Sequence, residues 1–409
     1  MKYLISNNEI LFSSFKRIDL LDGIELLTPL QEVNLDTETT GLNCHQDKLV
    51  LIQLGNKEIQ VLVDIVSFNF KVPEALRVYL NSSKQLFVFQ NAKFDLKFLL
   101  KQGVVITKVY DTMLAETILT NGLQLSGRDL SSLCHKYLGF TLDKTLQDKI
   151  TVNITEDVLE YGAKDIMVLT AIKKLQLLEI EKLELTKALD LDNTFVPVLA
   201  YIEFCGIKLD KEKWLNIDTE NRNIYLKQQK QLESILLKNN KLKYFSGMLD
   251  LFEGTQTCII NWNSPKQVID VFNSFGIKTT KIEKGEKKDS VEDSVLEPQV
   301  KDFEILGPYL DLKKMQKKIS TYGLNWLKSI DNDTGRVHTI FKQLMVTGRL
   351  SSGDKKTGSP NLQNIPSDAL TRSCFICEKG NKLISADYSS KKNKYHILNK
   401  YKVVYHIFS

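Results

Sequence analysis

The sequence has no apolar run approaching the ~20 residues that span a bilayer, and its opening stretch, MKYLISNNEILFSSFKRIDLL, carries one early lysine but no uninterrupted apolar core. Both absences point to a soluble, unexported protein with no membrane partner. Cysteine is sparse. Cys44, Cys134, Cys205, Cys258, Cys374 and Cys377 are scattered, which suits a reducing compartment. Cys374 and Cys377 form a C-x-x-C, but no second Cys/His pair accompanies them to complete a four-ligand zinc site, so they read as two small apolar residues near a strand. A strong excess of one charge is lacking too. With 55 Lys and Arg against 50 Asp and Glu the net charge is +5, which permits a nucleic-acid partner without demanding one, and any basic groove must be local. Internal repeats and low-complexity tracts are missing as well.

What is present is length enough, at 409 residues, for two or three domains of roughly 150 residues each. Residues 33–63 read as strand, turn, strand: VNLDTETTGLN, then KLVLIQLG and EIQVLVDIV, punctuated by Gly41 and Gly55. A further strand, QLFVFQNA, leads into KFDLKFLLKQG, where Phe94, Phe98 and Leu99 have helical spacing and Gly103 suits a C-terminal stop. Strands alternating with helices indicate an α/β layer. From about Thr155 to Leu327 helices dominate, in stretches rich in Leu, Lys and Glu. Within them KIEKGEKKDSVEDSVLEPQ reads as a charged, solvated loop flanking a short helix, and near Val337 strand signals return.

Asp36 and Glu38 stand two apart in NLDTET, and strand residues i and i+2 point to one face, so their carboxylates project side by side. Anions that close repel unless a cation sits between them, which makes the pair a candidate for Mg²⁺ or Mn²⁺. A lone D-x-E is also common on exposed strands. Asp95 opens a helix beside Asn91 and Lys93, where an acid is stabilising without any chemistry. Tyr161 and Asp165, four apart in EYGAKD, share a helical face, which equally suits an amphipathic helix with the tyrosine packed and the acid solvated.

Together, D-x-E, N-x-K-F-D and Y-x-x-x-D resemble the three motifs of the DEDD superfamily of 3'-to-5' exonucleases, in its tyrosine branch. The resemblance implies an RNase H-like fold and two divalent ions, Mg²⁺ or Mn²⁺. Asp36, Glu38 and Asp165 would hold one ion and Asp36 with Asp95 the other, while Tyr161 orients the attacking water. None of the five histidines falls in these motifs, in keeping with hard cations that take carboxylate ligands.

A second resemblance lies toward the C-terminus, where VHTIFKQLMVTGRLSSGDKKTGSPNLQNIP is similar to a segment of family A DNA polymerases, with a lengthened spacer, GDKKTGS, before Pro360. Two prolines, polar amides and an arginine suit a grip on a phosphate backbone and minor groove. VPVLAYIEFCGIKLD and INWNSPKQVIDVFNSFGI look like the thumb and pre-palm of that family, and the likeness runs from Val33 to Ser390. LISADYSS resembles the first catalytic motif of the polymerase palm, with Asp387 as its aspartate. Only 22 residues follow Asp387, with five lysines and no acid, so the expectation is a truncation or frame change that leaves Asp387 vestigial and polymerase activity lost.

The implied organisation is an α/β RNase H-like exonuclease domain over 1–178, a mostly α-helical thumb and pre-palm region over 179–335 and a partial α+β palm over 336–409. The implied partner is DNA, as a single-stranded 3' end, with a primer-template and replication proteins beyond it. Asn91, Lys93, Arg349, Gln363 and Asn364 are the expected DNA contacts, with Arg372 adding basic surface. An RNase D-like exoribonuclease and a non-catalytic DNA-binding remnant are the alternatives.

Overall fold

The computed structural model describes residues 1–9, 12–120, 127–143, 145, 151–246, 257–283, 285–345, 349–355 and 357–384. Asp387 and most of LISADYSS lie outside the described residues. Two compact units emerge: Met1–Lys208 with Ile330–Asn364 and the described residues from Cys377 onward, and Leu209–Ser329 with Ile365–Ile376. This division follows packing and cuts across the sequence segments 179–335 and 336–409. No helix among the described residues is long and apolar enough to cross a membrane.

The first unit is built on a seven-stranded mixed sheet: β1 (Lys2–Ile5), β2 (Lys16–Arg17), β3 (Glu32–Thr39), β4 (Leu49–Gly55), β5 (Gln60–Asp64), β6 (Leu86–Phe89) and β7 (Val109–Asp111), in the spatial order β2-β1-β5-β4-β3-β6-β7. β4 runs antiparallel to β3 and β5, and the other neighbours are parallel. Its helices are α1 (Leu20–Leu27), α2 (Glu74–Ser82), α3 (Ala92–Lys101), α4 (Thr112–Leu119), α5 (Leu130–Leu138), α6 (Glu156–Lys182) and α7 (Thr186–Cys205), followed by a short strand β8 (Ile207–Leu209). β4 and β5 are buried along their whole length, as strands covered on both faces are, which explains why they are apolar apart from Gln53, Gln60 and Asp64. α6 packs across β3, β4 and β5. Thr155 caps it, its hydroxyl accepting from Val158 N at 3.4 Å, and Glu156 and Asp157 in the first turn complement the helix dipole. Phe87, Phe89 and Phe98 are fully buried, each contributing about 1.5–3 kcal/mol.

The second unit carries α8 (Lys211–Lys238), α9 (Pro265–Ser274), α10 (Asp293–Leu296) and α11 (Leu306–Tyr322) around a core that includes Trp262, Phe272 and Tyr309. Phe272 meets Tyr309 edge-on, ring centroids 4.9 Å apart. One expectation needs correcting here. The stretch read as a loop holds an antiparallel hairpin, β9 (Thr280–Glu283) and β10 (Glu286–Asp289), before the short helix α10. Gly285, at φ +85°, supplies the left-handed turn residue, and Lys281–Glu292 and Lys288–Glu283 ion pairs at 2.6 and 3.4 Å flank the ladder. Both strands are largely exposed, so backbone hydrogen bonds hold them and no apolar alternation marks them in sequence.

Residues Ile330–Asn364 return to the first unit. β11 (Arg336–Val337) pairs with β8, and β12 (Phe341–Lys342) pairs with β13 (Ser351–Ser352). Asp331 accepts from Gln46 Nε2 at 2.9 Å and Asn43 Nδ2 at 3.4 Å, tying down the β3–β4 loop. In that loop His45 stacks on Phe204 and meets His338 at a tilt, with centroids 5.0 and 4.1 Å away. Burial, then His338, lowers His45 from 6.5 to about 4, with Asp331 opposing and Lys101 assisting. Between pH 4 and 6.5 the unfolded chain therefore binds a proton that the folded chain refuses. Stability from this site is full above that window and falls as pH drops through it. A thermal-denaturation series should show Tm rising with pH across the window, with a shallower slope in His45→Phe. Identical slopes would acquit His45.

Candidate metal centre

β3 presents Asp36 and Glu38 from one face, with a register shift between Glu38 and Thr39 marking the end of the regular ladder. α6 brings Asp165 to the same place. Oxygens of Asp36, Glu38 and Asp165 all lie within 4.8 Å of one another, forming the one such acidic group among the described residues. Glu38 and Asp165 are buried, and Asp36 is partly open. Asp95, in the first turn of α3, is 2% exposed and accepts a 2.6 Å hydrogen bond from Thr37, the residue between the two β3 acids. Burial first, and then the Asp36 carboxylate, holds Asp95 well above the usual carboxylate range. Tyr161 is buried one turn before Asp165 and hydrogen-bonded to it. Burial, followed by Asp165, Glu38 and Asp36, pushes its phenol far up. The structure thus gathers all five sequence-picked residues at one locus.

The expected DNA contacts are more dispersed. Asn91 takes a left-handed φ of 63° just before α3, its N–H donating to Asp111 at 3.0 Å. Lys93 Nζ is engaged by Glu203 at 2.6 Å and by the Phe341 carbonyl. Arg349 is exposed; Gln363 braces its own loop, its side-chain carbonyl accepting from Ser352 N at 3.0 Å, and Asn364 N donates to Asn361. In the second unit Arg372 is exposed, its Nε reaching the Pro366 carbonyl at 3.4 Å.

Sequence reasoning missed the groups that hold this locus in place. Asp111 accepts from four backbone N–H groups, of Asn91, Ala92, Met113 and Leu114, fixing the starts of α3 and α4. Asn34 bridges β3 to α6, and Gln53, paired opposite Asp36, donates to Glu38 at 3.3 Å. For Gln53 the available signal was a polar amide inside an otherwise apolar strand; Asn34 lies among the polar residues of β3 and carried no such signal.

Residues 14–179 match the family model described as 3'-5' exonuclease, and residues 249–392 match that of DNA polymerase family A. The chain belongs to DNA polymerase family A. Curated relatives include DNA polymerase I of Borreliella burgdorferi, 29% identical over 391 residues, which cover 91% of this chain and 40% of that one. DNA polymerase I of Aquifex aeolicus is 29% identical over 377 residues, 87% of this chain and 57% of the relative. This family A chain therefore spans less than two thirds of the length of these relatives. Among solved structures, the POL domain of Pol1 from M. smegmatis in complex with DNA primer-template and dNTP aligns over 93% of this chain and 59% of its own, with TM-score 0.64 and 19% identity, a likeness of fold. Asp36, Glu38, Asp95, Tyr161 and Asp165 all fall inside the exonuclease match, and exonuclease domains of this type depend on metal.

Proposed function

We propose that the family A chain hydrolyses DNA from its 3' end, releasing mononucleotides, at a centre of Asp36, Glu38, Asp95 and Asp165 that takes two Mg²⁺ or Mn²⁺ ions. One observation carries this reading: the three acid oxygens gathered within 4.8 Å inside the exonuclease match. An all-carboxylate, largely buried donor set fits hard divalent cations and suits thiophilic metals poorly. When bound, a pair of such ions lowers the pKa of water and stabilises the leaving 3'-oxygen. Asp36, Glu38 and Asp165 would hold one ion, and Asp36 with Asp95 the other. Tyr161, whose phenol is pushed far up by burial and its acid neighbours in the metal-free site, would orient the attacking water or assist its deprotonation. In this reading the nuclease work belongs to residues 1–178, and contacts with a duplex end belong to 179–335 and 336–409, where Arg349, Gln363 and Asn364 lie on the surface.

The test is a 5'-labelled single strand incubated with purified protein and Mg²⁺ or Mn²⁺, with an RNA strand of the same sequence beside it. Stepwise shortening from the 3' end of DNA that stops with chelator is the expected result. No metal-dependent shortening would overturn the proposal, and faster loss of the RNA would redirect it to a ribonuclease. In the same assay Tyr161→Phe keeps the ring and loses the hydroxyl, and kcat should fall by about 10²-fold at unchanged Tm. A Phe variant as fast as the parent would assign Tyr161 to packing alone.

A further inference from the structure

β3 and α6 contribute the two halves of the acidic group, so its geometry depends on how those elements are locked together. Asn34, two residues before Asp36 and on the same face of β3, is fully buried, in a central strand position that disfavours asparagine. Its Nδ2 donates to the carbonyl of Ile166, the neighbour of Asp165, at 2.5 Å, and its Oδ1 accepts from Thr170 Oγ1 at 2.8 Å. Gln53 makes the second link. It lies opposite Asp36 on β4, is fully buried, and donates from Nε2 to Glu38 Oε1 at 3.3 Å, while its own Oε1 has no hydrogen-bond partner among the described residues. α6 makes room for it. A Cβ on Gly162 would stand 2.5 Å from Gln53 Nε2 and 3.0 Å from its Cγ, so a glycine occupies a helical position where alanine has the better propensity.

Both amides are poor choices for strand stability, and both are spent on the alignment of metal-facing acids. We propose that Asn34 and Gln53 are positioning residues for the metal centre, Asn34 setting the spacing of Asp165 from the β3 pair and Gln53 the orientation of Glu38. This rests on the metal-dependent reading of the site. Outer-shell partners of this kind typically govern affinity by ~10–100-fold.

The experiment is Mn²⁺ titration by calorimetry, with Tm of the metal-free protein, for the parent, Asn34→Val, Thr170→Val and Gln53→Met. Mn²⁺ affinity should fall at least ~10-fold in Asn34→Val and Gln53→Met. Gln53→Met removes an unpaired buried acceptor together with the long hydrogen bond to Glu38, two opposed changes, so its metal-free Tm should stay close to the parent's. A purely structural role would instead lower Tm and leave the affinity of the folded protein intact. Thr170→Val strips only the acceptor side of Asn34 and supplies the same comparison if Asn34→Val does not fold. Affinities within twofold of the parent in the folded variants would overturn the proposal. A parent that binds no Mn²⁺ would instead sink the nuclease reading itself, and the positioning roles with it.

Discussion

Asp36→Ala is expected to lower metal-dependent 3' hydrolysis by about 10³-fold or more, equivalent to roughly 4 kcal/mol of barrier at ~1.4 kcal/mol per tenfold. The size follows from position. Asp36 belongs to the acidic group with Glu38 and Asp165, and, after burial, its charge also raises Asp95, which places it beside all three; in the proposed arrangement it would serve both ions. In that arrangement loss of Glu38 or Asp165 would remove a ligand from one ion, whereas loss of Asp36 would weaken both. Stability should move the other way. Without metal, Asp36 adds like charge beside buried acids, so the alanine variant should melt at or above the parent temperature. Single-turnover rates on 5'-labelled DNA decide the matter, and a variant that keeps more than about a tenth of the parental rate would refute this assignment.

Glu203→Ala should strongly destabilise the first unit. Its side chain is 1% exposed and receives Lys93 at 2.6 Å and Lys97 at 3.0 Å, while Phe341 N donates to it at 2.7 Å. Those lysines are themselves only 19% and 16% exposed. Removing one member of a buried ion pair leaves charge without compensation and typically costs about 3–5 kcal/mol. Lys93 already titrates low, burial outweighing the help that Glu203 gives. The chain offers an internal control, since its three tryptophans, Trp214, Trp262 and Trp326, all lie in the second unit. Calorimetry should show the first unit's transition shifted far down, with the tryptophan fluorescence transition nearly unmoved. Adding Lys93→Met should restore part of the loss, and a Glu203→Ala cost below about 1 kcal/mol would show that the pair is effectively solvated.

The site was legible where its chemistry is local. Asp36 with Glu38, and Tyr161 with Asp165, obey the two-residue and four-residue periods of strand and helix, so spacing alone puts each pair on one face. The groups that lock these pairs together act at long range. Asn34 meets Ile166 at a separation of 132 residues, and Glu203 reaches Lys93 and Phe341 at 110 and 138. No periodicity reports such contacts. Lys93 illustrates the limit: a lysine beside a motif suggests a phosphate contact by residue type, yet in the folded chain its ammonium meets a buried carboxylate. The hairpin of residues 280–289 escaped notice for a different reason, its charged strands lacking any apolar face to read.

The return of residues 330–343 to the first unit bears on how the protein is made. Glu203 and its last partner, the Phe341 N–H, are 138 residues apart. At a ribosomal rate of about 5–20 residues per second, roughly 7–28 s pass between the synthesis of the two. Through that interval the nascent first unit has its sheet and its acidic residues but not the strand that closes over Glu203, Gly206 and His45. A chaperone or protease meeting the chain on the ribosome would find that seam open.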